Sequence, residues 1–358
     1  MELVNYKCPS CTAPLRFDEK TGKLVCDFCG SIYTVKEAET LNAEKEAAAA
    51  KAEKPDIPEV QQTEDPNLHA YLCPSCGAEL ICEITTAATS CPYCGNVNIV
   101  PGQLSGELKP DFVIPFQVER KSVVEALHKH YGKHNFYLPK LFRTENHIQK
   151  VQGVYVPFWL YDARLSGEGR YEGMDSVTHR EGDYEVTRTR HYDVERAGTA
   201  DFVKVPVDAS KKMPDNYMDS LEPFRYDAMV PFSTAYLPGF FADIPDVSIE
   251  ECSLRAELRA TDTAVESMSR QVSGYETCIP TRKDAQLRRG KVRCALLPVW
   301  LLSTQWEGQN FLFAMNGQTG KMVSDLPVSK KRYWAWWGGL TAGITAALAV
   351  ITVFANWL

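Results

Sequence analysis

Residues 8–11 (CPSC) and residues 26–30 (CDFCG) contain two cysteine pairs that are fourteen residues apart. The same pattern returns in residues 73–76 (CPSC) and 91–95 (CPYCG), again with fourteen residues between the pairs. Each cysteine of the second set lies 65 residues after its counterpart, which indicates an internal duplication. The first cysteine set is Cys8, Cys11, Cys26 and Cys29, and the second cysteine set is Cys73, Cys76, Cys91 and Cys94.

The spacing within each set is typical of a structural zinc site. A Cys-x-x-Cys turn brings two thiolates onto one metal ion, and two such turns supply a closed tetrahedral set of four ligands. Short strands are predicted between the turns, at residues 15–17, 23–25 and 79–84. We therefore predict two zinc ribbons, at residues 1–35 and 69–102, each of which holds one Zn²⁺. Units of this size have too little core to fold without their metal.

Two other uses of the cysteine pairs fit the sequence less well. Thiol exchange uses a single Cys-x-x-Cys pair that opens a helix in a βαβ unit, and a catalytic zinc site keeps a coordination position free. The remaining cysteines, Cys82, Cys252, Cys278 and Cys294, have no ligand spacing and are predicted to be ordinary buried thiols.

The C-terminal stretch has the composition of a membrane span. Residues 333–358 contain no Asp, Glu, Lys or Arg in 26 positions, and about 20 apolar residues suffice to cross a bilayer. We predict a transmembrane helix over 333–358, although a buried helix of a soluble core passes the same test. The predicted membrane-interface residues are Lys330, Lys331, Arg332, Trp334, Trp336, Trp337 and Trp357. Three small residues would allow close packing with another span: Gly338, Gly339 and Gly343.

The cations before this stretch predict its orientation, because positively charged flanks stay in the cytoplasm. The N-terminus has no cationic start followed by an apolar run, so no signal peptide is expected. The sequence therefore predicts a single-pass, tail-anchored protein of the cell membrane. Its N-terminal bulk would face the cytoplasm, where the cysteines remain reduced.

Between the two cysteine sets, residues 36–68 are predicted to form a charged helical linker. Residues 36–54 are rich in Ala, Glu and Lys, and Pro55, Pro58 and Pro66 follow. Such a sequence favours a solvated helix and then an extended tether. The first ribbon is accordingly expected to move relative to the second.

Residues 107–328 are predicted to form a β-rich body. Two capping boxes, Ser122 with Glu125 and Ser248 with Glu251, each indicate a helix start. A weaker repeat relates residues 154–160 (VYVPFWL) to residues 295–301 (ALLPVWL). These patterns predict two related halves, each with a helix packed on its sheet, and an α+β fold for the whole chain.

The charge distribution does not favour nucleic acid as a partner. The chain has a net charge of −7, and residues 70–100 contain no Lys or Arg. Two Cys₄ zinc sites would make the charge more negative still, whereas phosphate binding needs clustered cations. Protein partners are the better prediction for the ribbons.

No catalytic set stands out in the sequence. Residues 317–321 (GQTGK) lack the spacing of a Walker A loop and are followed by Met322, so a turn between strands is predicted. Four histidines lie near one another in sequence but do not form a His-Glu-x-x-His motif: His128, His130, His134 and His147. We predict that the protein is not an enzyme.

The cysteine sets, the GVYVPFW stretch at residues 153–159 and the apolar C-terminus together identify a resemblance. The chain resembles membrane-anchored bacterial proteins with TFIIB-type zinc ribbons, some of which are labelled primosomal helicases. In Gram-positive members, the resemblance implies an association with phage-shock-type and SPFH-like membrane stress proteins. The lack of a Walker A loop argues against the helicase label.

These observations predict a non-enzymatic zinc-ribbon adaptor that recruits membrane or cytosolic proteins to the cytoplasmic face of the membrane, and the resemblance implies a role in a membrane stress response. The alternative is a nucleic-acid-associated factor of replication or transcription that is held at the membrane.

Overall fold

The structure is a computed structural model that describes residues 6–11, 13–49, 68–72, 79–83, 85–90, 97–99, 109–133 and 137–355. Several residues singled out above lie outside these ranges: Pro55, Pro58, Pro66, Cys73, Cys76, Cys91, Cys94, His134 and Trp357. The described chain has a mixed α/β architecture with a large β-rich body, a cysteine cluster near the N-terminus and an apolar C-terminal helix.

The first cysteine set belongs to a small antiparallel sheet formed by β1 (Leu15–Asp18), β2 (Lys23–Cys26) and β3 (Ile32–Tyr33). Both strands predicted here are present. We call residues 6–33 the N-terminal ribbon. Helix α1 (Val35–Ala49) follows and begins close to the predicted position. A capping box that the sequence analysis missed fixes its start, because the Thr34 amide donates to Glu37 at 2.7 Å.

Each cysteine pair of the second set lies, in sequence, between two strands that pair with each other. Strand β4 (Leu68–Leu72) pairs with β5 (Glu79–Glu83), and β6 (Thr86–Ser90) pairs with β7 (Val97–Ile99). The predicted strand at residues 79–84 corresponds to β5. Strand β6 also pairs with β12 (Phe241–Asp243), so the second hairpin extends the sheet of the body.

Three long strands form the body: β9 (Gln152–Glu181), β10 (Tyr184–Asp208) and β13 (Thr277–Trp306). Strand β9 pairs antiparallel with β10 on one side and with β13 on the other. Short strands complete the sheet at its edges: β8 (Phe112–Val113), β11 (Val230–Pro231), β14 (Gln309–Asn316) and β15 (Met322–Ser324).

The two copies of the sequence repeat lie side by side on β9 and β13. Val156 pairs with Leu297, and these two residues occupy equivalent positions in the two copies. The tryptophans of the repeat also make matching hydrogen bonds. Trp159 Nε1 donates to the carbonyl of Val247, and Trp300 Nε1 donates to the carbonyl of Val118, both at 2.9 Å. Each acceptor lies two residues before a helix.

The helices of the body are α2 (Arg120–Lys133), α3 (Glu145–Ile148), α4 (Asp215–Leu221) and α5 (Ile249–Arg270). Short 3₁₀ turns cover Lys140–Arg143, Tyr226–Ala228 and Thr234–Tyr236. Ser248 caps α5 as predicted, because its side chain accepts a hydrogen bond from the Glu251 amide. The box at Ser122 is not a cap, since α2 begins two residues earlier, at Arg120.

Helix α5 covers one face of an arm made of the distal parts of β9, β10 and β13. Its buried residues are Cys252, Ala256, Ala260 and Ala264. Val265 and Met268, further along the same side, are half-buried. Small alanines at these positions let the helix lie close to the strands, where Tyr171 packs near Ser269 with 3.3 Å between their hydroxyls.

The last helix, α6 (Lys330–Ala355), is apolar, and apart from half-buried Arg332 its described side chains are exposed. It is long and apolar enough to cross a membrane. Its start is attached to the body by two hydrogen bonds. The Ser329 amide donates to Tyr137 O at 2.9 Å, and Arg332 Nη1 donates to Leu138 O at 3.0 Å.

Candidate metal centre

The four thiols of the first cysteine set converge on one point, since their sulfur atoms all lie within 4.8 Å of one another. The Sγ atoms of Cys8 and Cys29 are 3.5 Å apart, and those of Cys11 and Cys26 are 3.4 Å apart. Four ligands around Zn²⁺ with Zn–S bonds of about 2.3 Å would be separated by about 3.8 Å. The spacing of the sulfurs therefore fits a tetrahedral zinc site after small adjustments.

Two tight turns present these thiols. The Cys8 amide donates to Ala13 O at 2.7 Å, and the Gly30 amide donates to Cys26 O at 2.9 Å. Gly30 has a φ of +73°, a left-handed conformation that glycine adopts without steric cost. The structure thus gives the physical reason for glycine after the last cysteine of the set.

The surroundings of the thiols also suit a metal. Cys8 and Cys26 are buried, and all four cysteines are free of disulfide bonds. Burial opposes ionisation of Cys8, but the backbone amides of Ser10 and Cys11 outweigh it and lower its pKa to about 6. These amides thus favour the thiolate, which is the form that binds metal.

The pKa values of the two exposed thiols, Cys11 and Cys29, shift in opposite directions. Hydrogen bonds from Ser31 lower the pKa of Cys29. The Ala13 amide is the largest single influence on Cys11 and favours its ionisation, but the hydrogen bond with Cys26, burial and the neighbouring thiols together raise the pKa of Cys11 to about 12. The four thiols titrate together because their sulfur atoms lie within 4.8 Å of one another.

Hydroxyl groups around the sulfurs hold the ligands in place. Tyr33 Oη lies 3.0 Å from Ser10 Oγ and 3.8 Å from Cys8 Sγ, and Ser31 Oγ lies 3.2 Å from Cys29 Sγ. Such contacts orient metal ligands and tune their charge. Sequence analysis did not single out these residues, because no spacing rule marks them.

The N-terminal ribbon is packed against the body. Leu15, Phe17 and Leu24 belong to the same buried cluster as Leu237 and Phe240. Further contacts connect the two parts: Tyr6 Oη to Thr234 Oγ1 at 2.7 Å, the Phe17 amide to Pro238 O at 3.0 Å, and Lys20 Nζ to Glu119 at 2.9 Å. The N-terminal ribbon is therefore held on the body. The expected movement relative to the second ribbon stays a prediction, because the second cysteine set lies outside the described residues.

The candidate membrane residues lie along α6. Lys330, Lys331, Trp334, Trp336 and Trp337 are exposed, whereas Arg332 is half-buried by its bond to the body. Gly338, Gly339 and Gly343 face open space, since a Cβ atom added at any of them would meet no heavy atom within 4 Å.

The histidines that lie near one another in sequence do not converge in the described part of the chain. His128 pairs with Glu145 at 2.9 Å, His130 bonds to Ser324 Oγ at 2.7 Å, and buried His147 bonds to Thr304 Oγ1 at 2.8 Å. Each histidine therefore has a separate partner.

Two of the cysteines outside the sets, Cys252 and Cys294, are buried as predicted, and Cys278 is half-buried. Strand β5 includes Cys82, whose side chain is outside the description.

Residues 317–321 form the predicted turn between β14 and β15. Buried Asn316 organises it by accepting hydrogen bonds from the amides of Gln318 and Thr319. Its own amide group donates to Leu221 O at 3.0 Å. The turn is thus fastened to the body instead of being open to a phosphate.

Asp208, at the end of β10, is a buried acid that sequence analysis missed. It is 3% exposed, and burial raises its pKa to about 7. One carboxylate oxygen accepts the Ser210 amide, and the other has no protein partner. Spacing could not reveal it, because its environment arises only when β10 packs beside α5.

Comparison with known proteins identifies a family similar to the N-terminal ribbon and a relative of the whole chain. A family described as "Trm112p-like protein" matches residues 7–37, so the N-terminal ribbon resembles that zinc-ribbon type. The whole chain is 34% identical over 351 residues to the "Uncharacterized protein YdjG" of Bacillus subtilis (strain 168), with 98% of each chain covered. The chain belongs to the same family as YdjG. No solved structure matches it significantly.

Proposed function

We propose that this protein is a non-enzymatic, membrane-anchored zinc-ribbon adaptor that recruits protein partners to the cytoplasmic face of the membrane. The observation that supports this proposal is that the N-terminal ribbon, the body and α6 are all in direct contact. The N-terminal ribbon shares its buried core with the body, and the body is hydrogen-bonded to the start of α6. A partner bound to the ribbon would thereby be held at a fixed distance from the bilayer.

The surface of the ribbon favours a protein partner. Phe28, which lies between Cys26 and Cys29, is 80% exposed, and Ile32 is 55% exposed. Exposed aromatic and aliphatic side chains on a rigid support are typical of protein-binding surfaces. Residues 1–35 carry equal numbers of acidic and basic residues, which gives no electrostatic attraction to a polyanion.

A second zinc site at the second cysteine set belongs to this proposal. Strands β4 and β5 flank its first cysteine pair, and β6 and β7 flank its second pair. Two hairpins of this kind would bring four thiolates to one ion, as in the N-terminal ribbon. Zinc would then be structural in both ribbons, and neither site would leave a position for substrate.

A body of two related halves is also part of the proposal. Strand β8 runs parallel to β13, with Phe112 beside Ala295, and β12 runs parallel to β9, with Phe241 beside Val154. Together with the matching tryptophan bonds, these pairings relate β8, α2 and β9 to β12, α5 and β13. A body of two related halves would hold both ribbons on a single scaffold.

The anchor is tested by deleting residues 333–358. We expect the shortened chain to move from the membrane fraction to the soluble fraction with its zinc content unchanged, because residues 333–358 contain no cysteine. Retention in the membrane after deletion would rule out α6 as the anchor.

The adaptor role is tested by crosslinking the full chain in native membranes and identifying the attached proteins. Phe28→Ala should reduce recovery of a ribbon-bound partner, and Cys73→Ser should do the same for a partner of the second ribbon. Phe28 is exposed, so its loss should leave folding intact. If DNA or RNA binds instead, with an affinity that falls steeply as salt rises, the adaptor proposal is wrong.

A further inference from the structure

We propose that the face of the body around the C-terminal end of α2 rests on the bilayer and binds anionic lipid headgroups. This inference rests on the proposed function, because a membrane-spanning α6 would bring this face of the body to the lipid. It assigns the lipid-facing surface to residues that are far from α6 in sequence. We call this surface the basal face and define it by Lys129, Lys133, Lys140 and Leu141.

The first argument is the attachment of α6. Tyr137 O and Leu138 O accept hydrogen bonds from the Ser329 amide and from Arg332 Nη1. These contacts place residues 137–138 at the base of α6. If α6 enters the hydrocarbon region near Tyr333, then the body residues beside its base lie at the depth of the lipid headgroups.

The second argument is the arrangement of the basal face itself. Lys133 ends α2, and the 3₁₀ turn Lys140–Arg143 packs on this end of the helix. Phe142 is buried against Tyr131, with ring centroids 6.2 Å apart, while its neighbour Leu141 is 40% exposed. Because Phe142 is buried, its neighbour Leu141 is held at the surface, next to the exposed Lys140.

The third argument is charge. Residues 120–150 contain seven Lys or Arg and two Glu, in a chain whose net charge is −7. One of the two acids, Glu145, is paired with His128, and the other, Glu125, is exposed on α2. The flank of α6 adds Lys330 and Lys331. Residues 120–150 thus have a positive balance in an acidic protein, and exposed Lys129, Lys133 and Lys140 lie at the C-terminal end of α2 and in the 3₁₀ turn that contacts it.

Anionic lipid is the occupant that this combination fits. Phosphate headgroups complement clustered lysines, and each lysine near an anionic surface strengthens the attraction about fivefold. Leu141 and Val328, which is 52% exposed, would enter the boundary between headgroups and acyl chains. Lysines around exposed apolar side chains are typical of protein surfaces that lie at the membrane–water interface.

The test uses the full chain in nanodiscs of phosphatidylcholine alone or of phosphatidylcholine with phosphatidylglycerol. Hydrogen exchange of residues 126–133 and 137–142 is measured in both. We expect exchange to be at least about fivefold slower in the anionic discs, and the difference to shrink at high salt. Equal exchange in both lipids would overturn the proposal.

A charge-reversal variant, K129E/K133E/K140E, should abolish the lipid-dependent protection. The matched control, R188E/R190E/K291E, makes the same change of charge at exposed positions on β10 and β13 and should keep the protection. Leu141→Ser, at an exposed position, should weaken protection in both lipids while keeping its dependence on lipid charge. Protection that survives the triple reversal contradicts the inference, as does a partner protein that protects the same residues regardless of lipid.

Failure of the anchor can be distinguished from failure of the basal face. If the full chain does not stay in nanodiscs, the anchor proposal is wrong. Cosedimentation of that same chain with phosphatidylglycerol vesicles then tests the basal face alone. Binding that the triple reversal removes supports the basal face, and absence of binding overturns it.

Discussion

The two cysteine sets share their spacing but their flanking strands join the body in different ways. The N-terminal ribbon keeps its own three-stranded sheet and meets the body mainly through side chains such as Tyr6 and Phe17. The hairpin of β6 and β7 instead extends the body sheet by backbone pairing with β12. Ligand spacing therefore predicts a metal site without predicting how its module is attached.

Strand composition explains this difference. Strands β1 and β2 carry charged residues on their exposed faces, including Arg16 and Lys23. Strands β6 and β7 contain no charged residue. Charged side chains suit a small sheet whose outer face meets water, whereas uncharged strands can be accommodated beside other strands in a larger sheet.

The largest expected effect is that loss of zinc unfolds the strands of the N-terminal ribbon but leaves β6 folded in the body sheet. Cys26→Ser should remove one zinc per chain and unfold β1 to β3, because metal binding supplies about 10 kcal/mol or more in such units. Cys91→Ser should also remove one zinc, yet β6 should stay protected through its pairing with β12. Metal analysis and hydrogen exchange of both regions would measure this.

The matched control for both variants is Cys252→Ser, a buried thiol outside the two sets, which should leave the zinc content unchanged. Equal loss of protection in β1 and β6 after their respective mutations would show that the two modules do not differ. Fewer than about two zinc ions per wild-type chain would contradict the second site.

A smaller effect is expected from the side-chain attachment of the ribbon. Phe17 is 1% exposed and packs edge to face on Tyr236, with centroids 5.4 Å apart. Phe17→Ala should destabilise this contact by about 3–5 kcal/mol and release the ribbon while zinc remains bound. Limited proteolysis of the 35–49 region, with Phe28→Ala as the exposed control, would detect the release. A ribbon that stays protected would show that other contacts suffice.

The smallest effect concerns a single hydrogen bond. Tyr6→Phe removes the 2.7 Å bond between Tyr6 Oη and Thr234 Oγ1, which should cost about 1 kcal/mol. A double-mutant cycle with Thr234→Val, followed by thermal unfolding, isolates the coupling between the two hydroxyls. A coupling near zero would mean that this bond does not help to hold the ribbon.

Local patterns predicted much of this architecture. The cysteine spacing correctly predicted a four-thiol cluster at the first set, and alternation predicted β1, β2 and β5. The Ser248 box predicted the start of α5, because capping depends on residues within one turn. The same rule was wrong at Ser122, where the chain continues the helix back to Arg120.

Features that depend on distant residues could not be predicted. The packing of Phe17 on Tyr236 joins positions that no periodicity connects. The extension of the body sheet by β6 likewise depends on an edge that β12 provides. The unusual pKa of Asp208 depends on burial by the assembled core. Each of these requires the tertiary structure, whereas spacing rules report only neighbours in the chain.

The pairing of β9 with β13 has a consequence for biosynthesis. The central strands join residues 152–174 to residues 277–301, so β9 is complete long before its partner is translated. At ordinary rates of synthesis, this interval is on the order of 10 s. Meanwhile β10 can pair with one edge of β9 as a local hairpin, while the other edge stays unpaired until β13 is made. We expect the nascent chain to need protection from aggregation in that interval, and the body to close only shortly before α6 is made.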